Sequence, residues 1–104
     1  MAKAIINAGI CGMVTTVTAQ EADGQMQVSI DSNCPHYKEL EAKLQGLEPY
    51  SVCFDKVGQS AVYAACAQTC PHGACPVPTG IVKAIEIAAG LALPRDVVIT
   101  LSKE

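Results

Sequence analysis

The chain has 104 residues, half of them hydrophobic, which excludes a disordered tail and fits one small domain. With 7 basic and 10 acidic residues the net charge is −3, and only Tyr37, Tyr50, Phe54 and Tyr63 are aromatic. A mildly acidic chain without a basic run or a stacking platform is a poor nucleic-acid binder.

Lys3 to Ala8 reads as a short strand and Gly9-Ile10-Cys11-Gly12 as a glycine-flanked turn. Met13 to Glu21 is rich in Val and Thr and reads as a second strand. Asp23-Gly24 then supplies the positive φ that a hairpin turn needs. From Gln25 to Asp31, Met26, Val28 and Ile30 alternate with polar residues, the pattern of a half-buried antiparallel strand. At Asn33 the period changes. Tyr37, Leu40, Leu44 and Leu47 recur at helical spacing, and Gly46 is the expected stop. Pro49 opens a turn of helix, and Ser60 caps a helix through about Thr69. Cys70 to Pro78 is a loop dense in Pro, Gly and Cys. A last helix is expected from about Pro78 to Ala89, with Val77, Ile81, Ile85 and Ala88 as its apolar stripe. Asp96 to Ser102 reads as a closing strand, with Val97, Ile99 and Leu101 on one face. The expectation is one α+β domain over residues 1–104, a small antiparallel sheet in the order β-β-β-α-α-α-β with helices packed on one face.

The outlying number is cysteine, 6 in 104 residues. Met1 to Asn7 lacks the charged and apolar regions of a signal peptide. The longest apolar stretch, Ile81 to Pro94, is broken by Lys83, Glu86 and Gly90 and is too short to span a bilayer. The expected compartment is the cytoplasm, with no membrane partner. There, clustered cysteines serve more often as metal ligands or redox thiols than as disulfides.

Cys34, Cys70 and Cys75 each precede proline, and the first two continue into His36 and His72. Proline suits the first turn of a helix, and a cysteine just before it sits near the N-cap. Unpaired N–H groups and the positive end of the helix dipole there favour a thiolate, the form that binds metal. This applies to Cys34 and Cys75. Cys11 sits in a glycine turn that can add a thiolate and backbone donors. No zinc-ribbon C-x2-C pair is present. The favoured ligands are Cys11, Cys34, Cys70 and Cys75, with Cys53 and Cys66 in reserve. Four thiolates suit a [4Fe-4S] cluster or structural zinc. Cys66 on its Ala-rich helix and Cys53 between Val52 and Phe54 equally suit plain core packing. His36 and His72 fit exposed or supporting positions better than ligation. No nucleotide-binding, zinc-protease or serine-hydrolase motif is present, so a binding protein is favoured over an enzyme.

Ala4 to Gly12, Cys34-Pro35-His36-Tyr37, Ala74 to Pro78, Ile81 to Glu86 and Ala88 to Pro94 resemble blocks of a family of short proteins of unknown function from anaerobic bacteria and archaea. That likeness covers nearly the whole chain, and life without oxygen fits an oxygen-sensitive cluster. More distantly, the order of Cys11 before a hairpin, Cys34 after it and Cys75-Pro76 opening a helix resembles the TSCPD domain, for whose cysteines metal binding is proposed. Here the corresponding segment reads Gly73-Ala74-Cys75-Pro76-Val77, without that domain's acidic residue.

The function expected first is a small metal-binding protein carrying one [4Fe-4S] cluster, for electron transfer or for cluster handling and sensing. Its partner would be a redox or cluster-accepting protein. A zinc-stabilised interaction module and a metal-free thiol enzyme or sulfur carrier are the alternatives, and a homodimer is compatible with so small a domain.

Overall fold

The computed structural model describes residues 1–33, 37, 39–70 and 72–103. It begins with three antiparallel strands, β1 (Ala2–Asn7), β2 (Val14–Ala22) and β3 (Gln25–Ser32), joined in sequence order. The β2–β3 hairpin closes on Asp23 and Gly24, whose φ values of 55° and 80° match the right-handed twist of the strands they join. Alternation decides which face is covered. Ile6, Val17, Ala19, Met26 and Val28 point into the core, whereas Ile5 and Gln27 face outward.

The helix expected from Asn33 to Gly46 is not formed over its described part. A 3-10 turn at Glu41–Lys43 leads instead into a short fourth strand, β4 (Gln45–Leu47), which pairs antiparallel with β3. Two side chains draw this segment onto β3. Glu41 Oε1 accepts from the Ile30 N–H at 2.7 Å, and Gln45 Nε2 donates to the Val28 carbonyl at 2.7 Å. Gly46 at φ 68° then turns the chain out of helical geometry. Tyr37, Leu40, Leu44 and Leu47 are buried nonetheless, so the apolar spacing marked core residues without marking a helix.

Three helices follow: α1 (Pro49–Phe54), α2 (Ala61–Thr69) and α3 (Val77–Ala88). Pro49 is the first residue of α1, where its missing N–H costs nothing. Ser60 caps α2 by accepting from the Tyr63 N–H. Gly90 (φ 75°) ends α3. Its N–H donates to the Ile87 carbonyl and that of Leu91 to the Glu86 carbonyl, a Schellman closure. α3 lies across β1 and β2 on the covered face, with α1 and α2 against it. The fold is therefore α+β, with a four-stranded antiparallel sheet in the order β1-β2-β3-β4 and its helices on one face.

The closing strand expected at 96–102 is not paired. Residues 93–103 carry no regular structure and are exposed, because they run clear of the sheet and meet no partner strand. The observed order thus ends in helix, with the additional strand at Gln45–Leu47. Among the described residues, no helix is long and apolar enough to cross a membrane.

Gly80 sets how closely α3 approaches β1. A Cβ there would run into Cδ1 and Cγ1 of the buried Ile6. Gly80→Val should therefore lower stability by about 1–3 kcal/mol through overpacking. At roughly 4–8 °C per kcal/mol for a domain of this size, thermal unfolding followed by circular dichroism reads it directly.

Candidate functional site

The site is built where α2 ends and α3 begins. Cys66 lies in the last turn of α2 and is 2% exposed. Cys70 is the residue that closes this helix, its N–H donating to the Cys66 carbonyl at 2.7 Å. The chain turns through His72 and Gly73, with the Cys75 N–H reaching the His72 carbonyl at 3.3 Å. Pro76 is the N-cap of α3 and Pro78 lies in its first turn, so Cys75 stands just ahead of the positive end of a 12-residue helix. Cys66, Cys70 and Cys75 together line a shallow depression of about 330 Å³, with Tyr63, His72 and Pro78 around it. Tyr63 Oη and Thr79 Oγ1, 3.1 Å apart, tie α2 to α3 beside it.

Tyr37 reaches this site from the strand side of the fold. Its ring is buried, and its hydroxyl lies 2.6 Å from Cys75 Sγ. Burial foremost, then hydrogen bonds to Cys70 and Cys75 and the negative charge those sulfurs can carry, push the phenol far above its usual range. Tyr37 therefore keeps its proton and is the donor whenever Cys75 is a thiolate. The Cys66 thiol is also driven well up, first by burial, then by the charge of Cys70, the hydrogen bond its S–H donates to Cys70, and the charge of Cys75.

The structure brings Cys70 and Cys75 together as the sequence suggested and adds Cys66 to them. Cys11 is exposed in the turn after β1, where the Gly12 N–H donates to the Gly9 carbonyl, and it does not line the depression. Cys53 packs against the core, and burial followed by the Glu86 carboxylate pushes its thiol up to about 11. Its environment is that of a packing residue. Cys34 and His36 lie outside the described residues. His72 is exposed at the rim of the depression. Tyr37 was missed as a site residue because it fits the apolar spacing of its segment. The nearest signal was its place three residues after Cys34.

A family model described as a family of unknown function (DUF6951) matches residues 2–101. The chain belongs to this family. Membership in DUF6951 agrees with the resemblance to a family of unknown function and assigns no activity. No match to the chain is found among curated proteins or among solved structures.

Sulfur is a soft donor type. The depression presents three sulfurs, and no carboxylate is among the described residues lining it. Among the described residues, no three Cys, His, Asp or Glu side chains form a group that could already hold a metal ion.

Proposed function

We propose that this DUF6951 protein is a small thiolate-ligated metal protein whose cofactor is a [4Fe-4S] cluster. The observation that carries the reading is the convergence of Cys66, Cys70 and Cys75 on one depression, with the Tyr37 hydroxyl against Cys75. Cys34, from its Cys-Pro-His pattern, is the thiolate that would join them. Cys66 takes the place of Cys11, which stands outside the depression. A cluster there would supply one-electron transfer. The chain's own contributions are definable. Cys75 stands just ahead of the positive end of α3, and the Tyr37 hydroxyl lies within hydrogen-bond distance of its sulfur. The distant likeness to the TSCPD domain, for whose cysteines metal binding is proposed, supports the same reading, as does the resemblance to proteins of anaerobes. A redox or cluster-accepting protein is the partner class this function requires.

Anaerobic purification, followed by reconstitution with iron and sulfide, tests it. About four irons and four sulfides per chain and a brown colour are expected. A colourless protein without iron after reconstitution would overturn the proposal, and one tightly held zinc per chain would replace it with a structural zinc site.

A further inference from the structure

The C-terminal segment has the composition of a strand and none of the pairing. Val97, Val98, Ile99 and Leu101 are 56%, 80%, 72% and 86% exposed, an apolar run held in water. Val97 to Leu101 is an uncharged run rich in β-branched residues, the kind of segment that adds to an open sheet edge. That edge exists in the same molecule. β1 is the outermost strand on its side, and no described strand pairs with its outer edge. It is six residues long, Ala2–Asn7, the length of the stretch 96–101. The other edge, β4, offers only three residues.

The faces also agree. α3 covers β1 and β2, but Val82, Ala88 and Ala89 are only partly buried beside them. In a strand laid along β1, Val97, Ile99 and Leu101 would share one face and extend the covered surface under that flank of α3. Thr100 and Val98 would fall on the other face, beside the exposed Ile5. A chain's own tail does not occupy its own β1 here. The Schellman closure at Gly90 ends the helix, Pro94 favours extended backbone at Leu93, and residues 93–103 run on exposed and without regular structure. A second copy presents the same free edge. Reciprocal addition closes after two chains and covers both tails and the outer edge of both β1 strands.

We propose that the protein is a strand-exchanged homodimer, in which residues 96–101 of each copy add as a fifth strand to the outer edge of β1 of the other. The proposal is independent of any metal. The full chain should elute with twice the 10.8 kDa mass by light scattering. In a dimer mixed from labelled and unlabelled chains, isotope-filtered NMR should show contacts between residues 97–101 of one chain and 3–6 of the other. Ile99→Asp should shift the mass to one chain without unfolding the body, because Ile99 is outside the core. A one-chain mass for the unmodified protein at millimolar concentration would overturn the proposal. So would tail contacts arising within a single chain, or a dimer whose intermolecular contacts omit the tail. The NMR measurement needs no variant, so an Ile99→Asp chain that fails to fold leaves the decision intact.

Discussion

Ile81→Ala should destabilise the fold by about 2–5 kcal/mol, the range for removing a large aliphatic side chain from a core that cannot collapse around the gap. Ile81 is fully buried, one turn into α3 and on the side that meets β1 and β2. The gap is expected to persist because the approach is fixed on both sides. Gly80 already sits against Ile6, and Val77 and Ile85, one turn away in each direction, are themselves buried. A domain of this size has roughly 5–15 kcal/mol in total, so the variant loses a large part of its margin. Ile10→Ala is the matched control. It deletes the same atoms from a fully exposed turn and should change stability by no more than about 0.5 kcal/mol. Urea unfolding of the pair measures the difference. Equal midpoints would show that α3 is not seated on the sheet as described.

The strands that begin the chain were legible because two independent signals agreed there. Alternation in Met26, Val28 and Ile30 fixed the period, and Asp23-Gly24 fixed the hairpin, leaving one register that buries the apolar set. Ser60 and Gly90 likewise announced the start of α2 and the end of α3 through local chemistry. The segment from Tyr37 to Leu47 was not legible. Its spacing satisfies a helix, and only the bonds from Glu41 and Gln45 to β3 make a turn and a strand the better solution. Those contacts span 11 and 17 residues, beyond any local pattern. The tail fails in the opposite way. Its strand propensity is evident in the sequence, but a strand is realised only against an edge.

The candidate site divides along the same line. Cys70 and Cys75 stood out because each precedes proline at a chain turn, and turn chemistry is local. Cys66 was recognisable only as one helical turn before Cys70. That spacing places Cys66 one turn before the residue that closes α2, but it cannot distinguish a wall of packing from a wall of a site. Tyr37 meets Cys75 across 38 residues, so its role comes from the tertiary fold. The sequence thus located the sulfurs, and packing selected the group that controls them.

Tyr37→Phe should weaken metal binding by roughly 10- to 100-fold, the usual cost of removing a group that supports a ligand. A hydrogen bond to a charged group contributes about 1.5–3 kcal/mol, which corresponds to a similar factor. Phenylalanine keeps the buried ring, so the fold should be retained while Cys75 Sγ loses the hydroxyl 2.6 Å away. When Cys75 is a thiolate the tyrosine is the donor, and donation stabilises negative sulfur most when sulfur carries most charge. If iron is bound, removing the donor should therefore also shift the reduction potential negative. Cys75→Ser removes the proposed ligand and should reduce binding further, whereas Cys53→Ala should leave affinity unchanged because Cys53 packs apart from the depression. Chelator competition ranks the four proteins, and a potential titration gives the second readout. Wild-type affinity in both the Tyr37→Phe and the Cys75→Ser proteins would place the metal elsewhere in the chain. A loss in Cys75→Ser with no change in either readout for Tyr37→Phe would reduce Tyr37 to a core residue that happens to touch sulfur.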